Sequence, residues 1–130
     1  MKISNHDLAQ LAHNHHITTT HHTTGPKGYW SPSRRLISTR RGLTIAQYRS
    51  TFAHELGHAL HHDTPTRTGI YSTRQERRAD RYAAHLLIHE PDLWDAAAFY
   101  GHNLPAIAHD LEVTLHLLVT HLTLKKRTTP

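Results

Sequence analysis

Two imidazoles and a carboxylate fall within five consecutive residues of this chain, His54-Glu55-Leu56-Gly57-His58. On an α-helix, residues i and i+4 stand one above the other on the same face, roughly 6 Å apart along the axis, so both rings can reach one cation. Glu55 then lies beside that cation. A divalent ion lowers the pKa of a bound water to roughly 7, and a carboxylate so placed can take the water's proton and hand it later to a leaving amine. The chemistry this spacing offers is metal-assisted hydrolysis.

With 16 His in 130 residues, a shuffled chain would contain H-E-x-x-H with a probability of roughly 0.06, so the surrounding sequence must supply a helix for the motif. Thr44 is a candidate N-cap for a helix from about Ile45 to His62, in which Ile45, Tyr48, Phe52, Leu56 and Ala59 or Leu60 recur at spacings that give one apolar side. A catalytic zinc normally takes three protein ligands and keeps a fourth position for water. A continuation of the metzincin kind would need glycine at position 61 and histidine at position 64, where the chain has His61 and Thr64. The gluzincin alternative takes a glutamate from a second helix, and Glu76-Arg77-Arg78-Ala79-Asp80 offers one. Asp80, a turn later on the same face, can accept the outward N–H of a ligating imidazole, with His54 the expected partner. Small side chains at Ala79, Ala83 and Ala84 would let this helix approach the first closely.

These two segments, His54-Glu55-Leu56-Gly57-His58 and Glu76-Arg77-Arg78-Ala79-Asp80-Arg81-Tyr82-Ala83-Ala84-His85-Leu86-Leu87, resemble the ImmA/IrrE metallopeptidases, whose second motif reads roughly E-x-x-A-[DN]-x-[FY]-A. The likeness covers about residues 28 to 124, strongly at both motifs and loosely in the flanks. It implies a small, cytoplasmic, zinc-dependent peptidase of the kind often encoded on phages and mobile elements, where such enzymes cleave a helix-turn-helix repressor.

The elements that must position these residues can be read around them. Residues 4–14 predict a short helix capped by Ser4, with Asp7 in the first turn and Leu8, Leu11 and Ala12 facing inward. The β-branched run from Ile17 to Thr24 predicts a strand, Gly25-Pro26-Lys27-Gly28 a turn, and Tyr29-Trp30 and Arg34 to Arg40 two further strands. The expected fold class is α+β, a small antiparallel sheet packed on a helical zincin core. In such a fold an edge strand lies along the cleft and pairs with an extended substrate. Ser72 or Thr73 should cap the Glu76 helix, which would end near Glu90-Pro91. Helices over Asp92 to Tyr100, Leu104 to Leu111 and Leu115 to about Leu124 should follow, the last capped by Thr114, with Leu115, Leu118, Val119 and Leu122 on its inner side. The Leu104 to Leu122 segment has the rhythm of a helix-turn-helix, yet its second helix has no Lys, Arg, Asn or Gln before Lys125 to contact bases or phosphates. It is read as packing around the core.

At this length one domain is expected, with residues 1–43 forming the N-terminal helix and sheet, 44–90 the two metal-site helices, and 91–130 the C-terminal helices and basic tail. No apolar run approaches 18 residues, and Met1-Lys2-Ile3-Ser4-Asn5 opens no hydrophobic leader, so a soluble, cytoplasmic protein without membrane partners is expected. With no cysteine, a metal must be held by His and carboxylate. Residues 1–81 carry 12 Lys and Arg against 5 Asp and Glu, a basic balance that could attract acidic protein or nucleic acid, although charged residues mostly cover solvated faces. His6, His13, His15, His16, His21, His22, His85, His89, His102, His109, His116 and His121 stand outside any carboxylate motif and are assigned to surface or packing roles.

The resulting expectation is a zinc endopeptidase: His54, His58 and Glu76 as Zn²⁺ ligands, Glu55 as general base and then acid, Asp80 orienting a ligand. Tyr71, His61 and His85 are candidates for stabilising the tetrahedral oxyanion. The partner would be a protein substrate such as a helix-turn-helix repressor, with nucleic acid less favoured. The competing expectation is a non-proteolytic regulator that binds DNA or a transcription factor and uses zinc for stability. An intact Glu55 disfavours it, since a purely structural zinc needs no base.

Overall fold

Three serine or threonine hydroxyls set where the helices that matter begin. A computed structural model describes residues 2–128. Helix α1 spans Asn5–Asn14 behind Ser4, whose hydroxyl accepts from the Asp7 N–H. Three strands follow, β1 (Thr18–His22), β2 (Gly28–Ser31) and β3 (Leu36–Arg40). Helix α2 (Ile45–Leu60) starts with a reciprocal capping box between Thr44 and Gln47, and α3 (Thr73–Leu87) with one between Ser72 and Gln75. Each box satisfies two of the backbone N–H groups that a helix start leaves orphaned. Helices α4 (Glu90–Tyr100), α5 (Leu104–Asp110) and α6 (Leu115–Thr128) complete the chain. The class is α+β, as the sequence predicts.

The sheet is mixed, where the sequence reading expected an antiparallel one. Strand order is β1-β3-β2, with β2 antiparallel to β3 and β1 parallel to it. Continuity of the chain explains this. The connection over residues 23–27 carries the chain past the end of β3, across two strand spacings or roughly 9.5 Å, so β2 runs back along the far edge. The turn after Ser31 then returns β3 between the other two, parallel to β1. Ile37, Ser38 and Thr39 of the central strand are buried, while β1 is largely exposed.

Helix α2 lies on β2 and β3, and its most extensive contact is with α3. Leu8, Ile37, Phe52, Leu56, Leu87, Val113 and Leu118 are all buried and bring α1, the sheet, α2, α3 and α6 into one core. Two apolar faces differ from the sequence reading. Ile45 is exposed at the first turn of α2, where it borders an open surface depression with His21 and Arg40; Leu115 and Val119 are exposed because α6 packs on α3 and α5 through Leu117, Leu118 and His121 instead. Helix α3 ends at Leu87, earlier than expected, since Ile88 turns extended and Pro91 opens α4, a position where its missing N–H costs nothing.

Gly57 sets the approach of α2 to α3. A Cβ there would stand 3.1 Å from the Ala79 Cα, 3.2 Å from its carbonyl oxygen and 3.2 Å from Tyr82 Cδ1. Two of those three neighbours are backbone, so a larger residue would push the helices apart. Gly57→Ala is expected to lower the thermal midpoint: overpacking against backbone costs about 1–3 kcal/mol, exceeding the gain of about 1 kcal/mol from better helix propensity. An unchanged or raised midpoint in calorimetry would contradict this role for Gly57.

Candidate metal centre

His54 and His58 project from the same side of α2, with ring centroids 4.8 Å apart and planes nearly perpendicular. On α3, across the contact that Gly57 permits, Glu76 points back at them. Its Oε1 lies 2.6 Å from His58 Nε2 and 3.2 Å from His54 Nε2. The other nitrogen of each ring is engaged separately. His54 Nδ1 donates to Asp80 Oδ1 at 2.7 Å, and His58 Nδ1 donates to Asp63 Oδ2 at 3.0 Å. Both rings therefore turn Nε2 toward the same point. Neighbouring ligand atoms of a tetrahedral zinc at about 2.1 Å are roughly 3.4 Å apart. The Glu76–His54 separation is already close to that. The Glu76–His58 separation is short by less than an ångström, and Glu76, with 49% of its side chain exposed, has room to rotate.

A second triad is also available, since ligand atoms of His54, Glu55 and His58 lie within 4.8 Å of one another. Glu55 differs from Glu76 in its surroundings. It is buried, and burial raises its carboxyl to a pKa of about 7, with the charge of His54 opposing and that of Glu76 adding. Burial works against a charged His54, but the hydrogen bond to Asp80 and the charges of Glu55, Asp80 and Glu76 outweigh it and lift that imidazole to about 9. Burial likewise disfavours the Asp80 carboxylate, yet hydrogen bonds from His54 and His116 hold it below the usual range.

His54, Glu55, Glu76 and Asp80 line a cavity of about 900 Å³, with His58 and Asp63 buried behind them. Gly28 to Ser31 of β2 form one wall, so β2 is the edge strand along the cleft. It comes so close to α2 that a Cβ on Gly28 would stand 2.4 Å from Thr51 Cγ2 and 3.4 Å from Glu55 Cγ. Of the three oxyanion candidates, only Tyr71 lines this cavity. Its ring stacks on His58 at 3.7 Å and 8°, and its hydroxyl oxygen is buried with no hydrogen-bond partner among the described residues. Burial, then the charges of Glu55, Asp63 and Glu76, push its phenol above the ordinary value. His61 points elsewhere and bonds the Gly57 carbonyl, and His85 lies in a separate depression beside α4, so neither reaches the cleft.

Two residues of the site went unseen in the sequence. Asp63 arrives through the end of α2: His62 takes a left-handed conformation (φ 56°), His62 N–H donates to Ala59 O, and Asp63 N–H donates to His58 O. This 6→1 and 5→2 pair is a Schellman motif with histidine where glycine is usual. It folds the Asp63 carboxylate beneath His58, where Arg78 binds its other oxygen. An aspartate five residues after the second histidine was the available signal. His116, assigned to surface or packing, is exposed but not idle: its Nε2 donates to Asp80 Oδ2 at 2.9 Å. Only the packing of α6 on α3 brings it there.

The fold and site define a small α+β protein with a histidine-carboxylate cluster of the kind that holds a metal ion, open to a cleft. The chain belongs to the peptidase family described as IrrE N-terminal-like domain, whose profile matches residues 6–123. That membership gives it a metallopeptidase-type function. No curated protein matches the chain. Among the described residues no helix is long and apolar enough to cross a membrane.

The pKa shifts fix how the metal-free protein responds to pH. Glu55 holds its proton to about 7 in the fold against 4.5 as a free group, and His54 to about 9 against 6.5. In both cases the folded chain binds protons that the unfolded chain has released. The associated stability is therefore full at low pH and is lost as pH rises through 4.5–7 for Glu55 and 6.5–9 for His54. The thermal midpoint of the metal-free protein should fall between pH 5 and pH 9, and any rise on adding zinc as a probe should grow across that range as His54 gives up its proton. A zinc-induced rise that shrinks with pH would contradict the assignment.

Proposed function

We propose that the protein is a zinc-dependent endopeptidase in which His54, His58 and Glu76 hold the ion, Glu55 is the general base and then acid, and Asp80 and Asp63 orient the two imidazoles. The observation that carries this reading is the convergence of both Nε2 atoms on one Glu76 oxygen while both Nδ1 atoms are tied to aspartates. Glu76 suits a ligand and Glu55 suits a base. Glu55 is buried with its carboxyl poised near neutrality, the value at which a group both accepts and returns a proton efficiently. Spending Glu55 as a ligand would leave the cleft without that group.

Bound zinc supplies a Lewis acid for the scissile carbonyl and brings water within reach of deprotonation near neutral pH. The chain's own residues do the rest. Asp80 and Asp63 fix the tautomer and tilt of His54 and His58. Glu55 takes the proton of the attacking water and passes it to the departing amine. Tyr71, held flat against His58, offers a hydroxyl with no internal partner as donor to the oxyanion. Strand β2 presents an unpaired edge along the cleft, on which an extended segment of substrate can lie as a fourth strand. That geometry suits an exposed, unfolded stretch of a protein. A helix-turn-helix repressor of a phage or mobile element is the substrate we propose, with cleavage in the cytoplasm.

Two single-group variants test the roles, read by mass spectrometry on a peptide library and on a candidate repressor. Glu55→Gln should bind one zinc per chain while cleavage falls about 10²–10⁴-fold. Tyr71→Phe should keep zinc and KM, with kcat down about 10²–10³-fold. Full cleavage by Glu55→Gln would remove the base assignment.

A further inference from the structure

One face of α3 has no part in the site or the core. At roughly 100° per residue, Glu76, Asp80, Ala83 and Leu87 share the inner side of the helix, while Arg74, Arg77, Arg81 and His85 fall within a sector of about 80° on the outer side. All four outer residues are exposed. Elsewhere Arg35 binds the His15 and His16 carbonyls, Arg40 the Gly25 carbonyl, Arg49 Asn5 and Ile3, and Arg78 Asp63, while the side chains of Arg34, Arg41 and Arg67, which lie in turns and not on a shared helix face, have no such partner among the described residues. Arg74, Arg77 and Arg81 have no ion pair, hydrogen bond or ring contact among the described residues. Both carboxylates of α3 are turned inward to the imidazoles. A merely solvated helix face ordinarily interleaves both signs of charge, because like charges at i, i+3 and i, i+4 disfavour the helix.

We infer that the outer face of α3 docks the phosphate backbone of nucleic acid. Three features separate this occupant from an acidic protein segment. The cations are guanidinium groups, whose planar fork matches phosphate oxygens two at a time. No large apolar side chain is exposed on α3, although protein interfaces centre on such groups and the molecule exposes several elsewhere, such as Trp94 and Phe99. Finally, Arg74 to Arg81 spans about 10 Å of helix, a length over which a duplex presents several backbone charges. Contacts of this kind carry no sequence information. They would hold the cleft, which opens on the other side of the same helix, close to proteins bound along the duplex.

The test does not depend on peptidase activity. Binding of a fluorescent random duplex of about 20 base pairs is followed by anisotropy across a salt series, for the wild type and for the triple variant Arg74→Gln, Arg77→Gln, Arg81→Gln. Each lost phosphate contact should flatten the plot of log K against log salt by about 0.9. The slope should therefore drop by two to three in the variant, with at least a tenfold loss of affinity at low salt. Zinc content and thermal midpoint serve as controls and should not change. An equal slope in the two proteins would overturn the inference, as would a wild type that ignores the duplex or one that binds only an acidic peptide of equal charge.

Discussion

Everything in this molecule that bears on chemistry depends on the close contact of α2 with α3. The absent side chain of Gly57 sits over the Ala79 backbone, and this proximity lets a carboxylate from one helix meet two imidazoles from the other. A metal site assembled from two helices is only as well defined as the distance between them. Here that distance is set by backbone against a glycine, and not by adaptable side chains. The buried Ala79, Ala83 and Ala84 continue the same fit along α3.

The second constraint is electrostatic. Four carboxylates crowd two histidines, and each is held differently. Asp63 is fully buried and clamped by Arg78; Asp80 is shared by His54 and His116; Glu76 reaches in from a half-exposed position; Glu55 is buried with its proton held to near neutrality. The aspartates thereby take the Nδ1 atoms and leave Nε2 for the cleft. Two glutamates beside the same imidazoles thus stand in different states, Glu55 buried and Glu76 half exposed.

What the sequence made legible was whatever is encoded locally. Ser4, Thr44 and Ser72 mark helix starts because a hydroxyl caps within three residues, and the H-E-x-x-H spacing fixes which side chains share a face. The parallel pairing of β1 with β3 was hidden, because strand order depends on where the 23–27 connection crosses and not on any strand's own pattern. Asp63 was hidden by a left-handed His62, a turn for which glycine is the usual sign. His116 was hidden because its partner belongs to a helix 36 positions away, and Leu115 and Val119 were misassigned for the same reason: which stripe of α6 faces inward is decided by α3, not by α6.

The central claim is that His54, His58 and Glu76 share one divalent ion. Calorimetric titration of zinc into the stripped wild type and into Glu76→Ala tests it most directly. One ion per chain is expected for the wild type, with affinity lower by about 10²-fold or more in the variant as a ligand is lost. Equal affinity and stoichiometry in the two proteins would place the ion elsewhere and contradict the account.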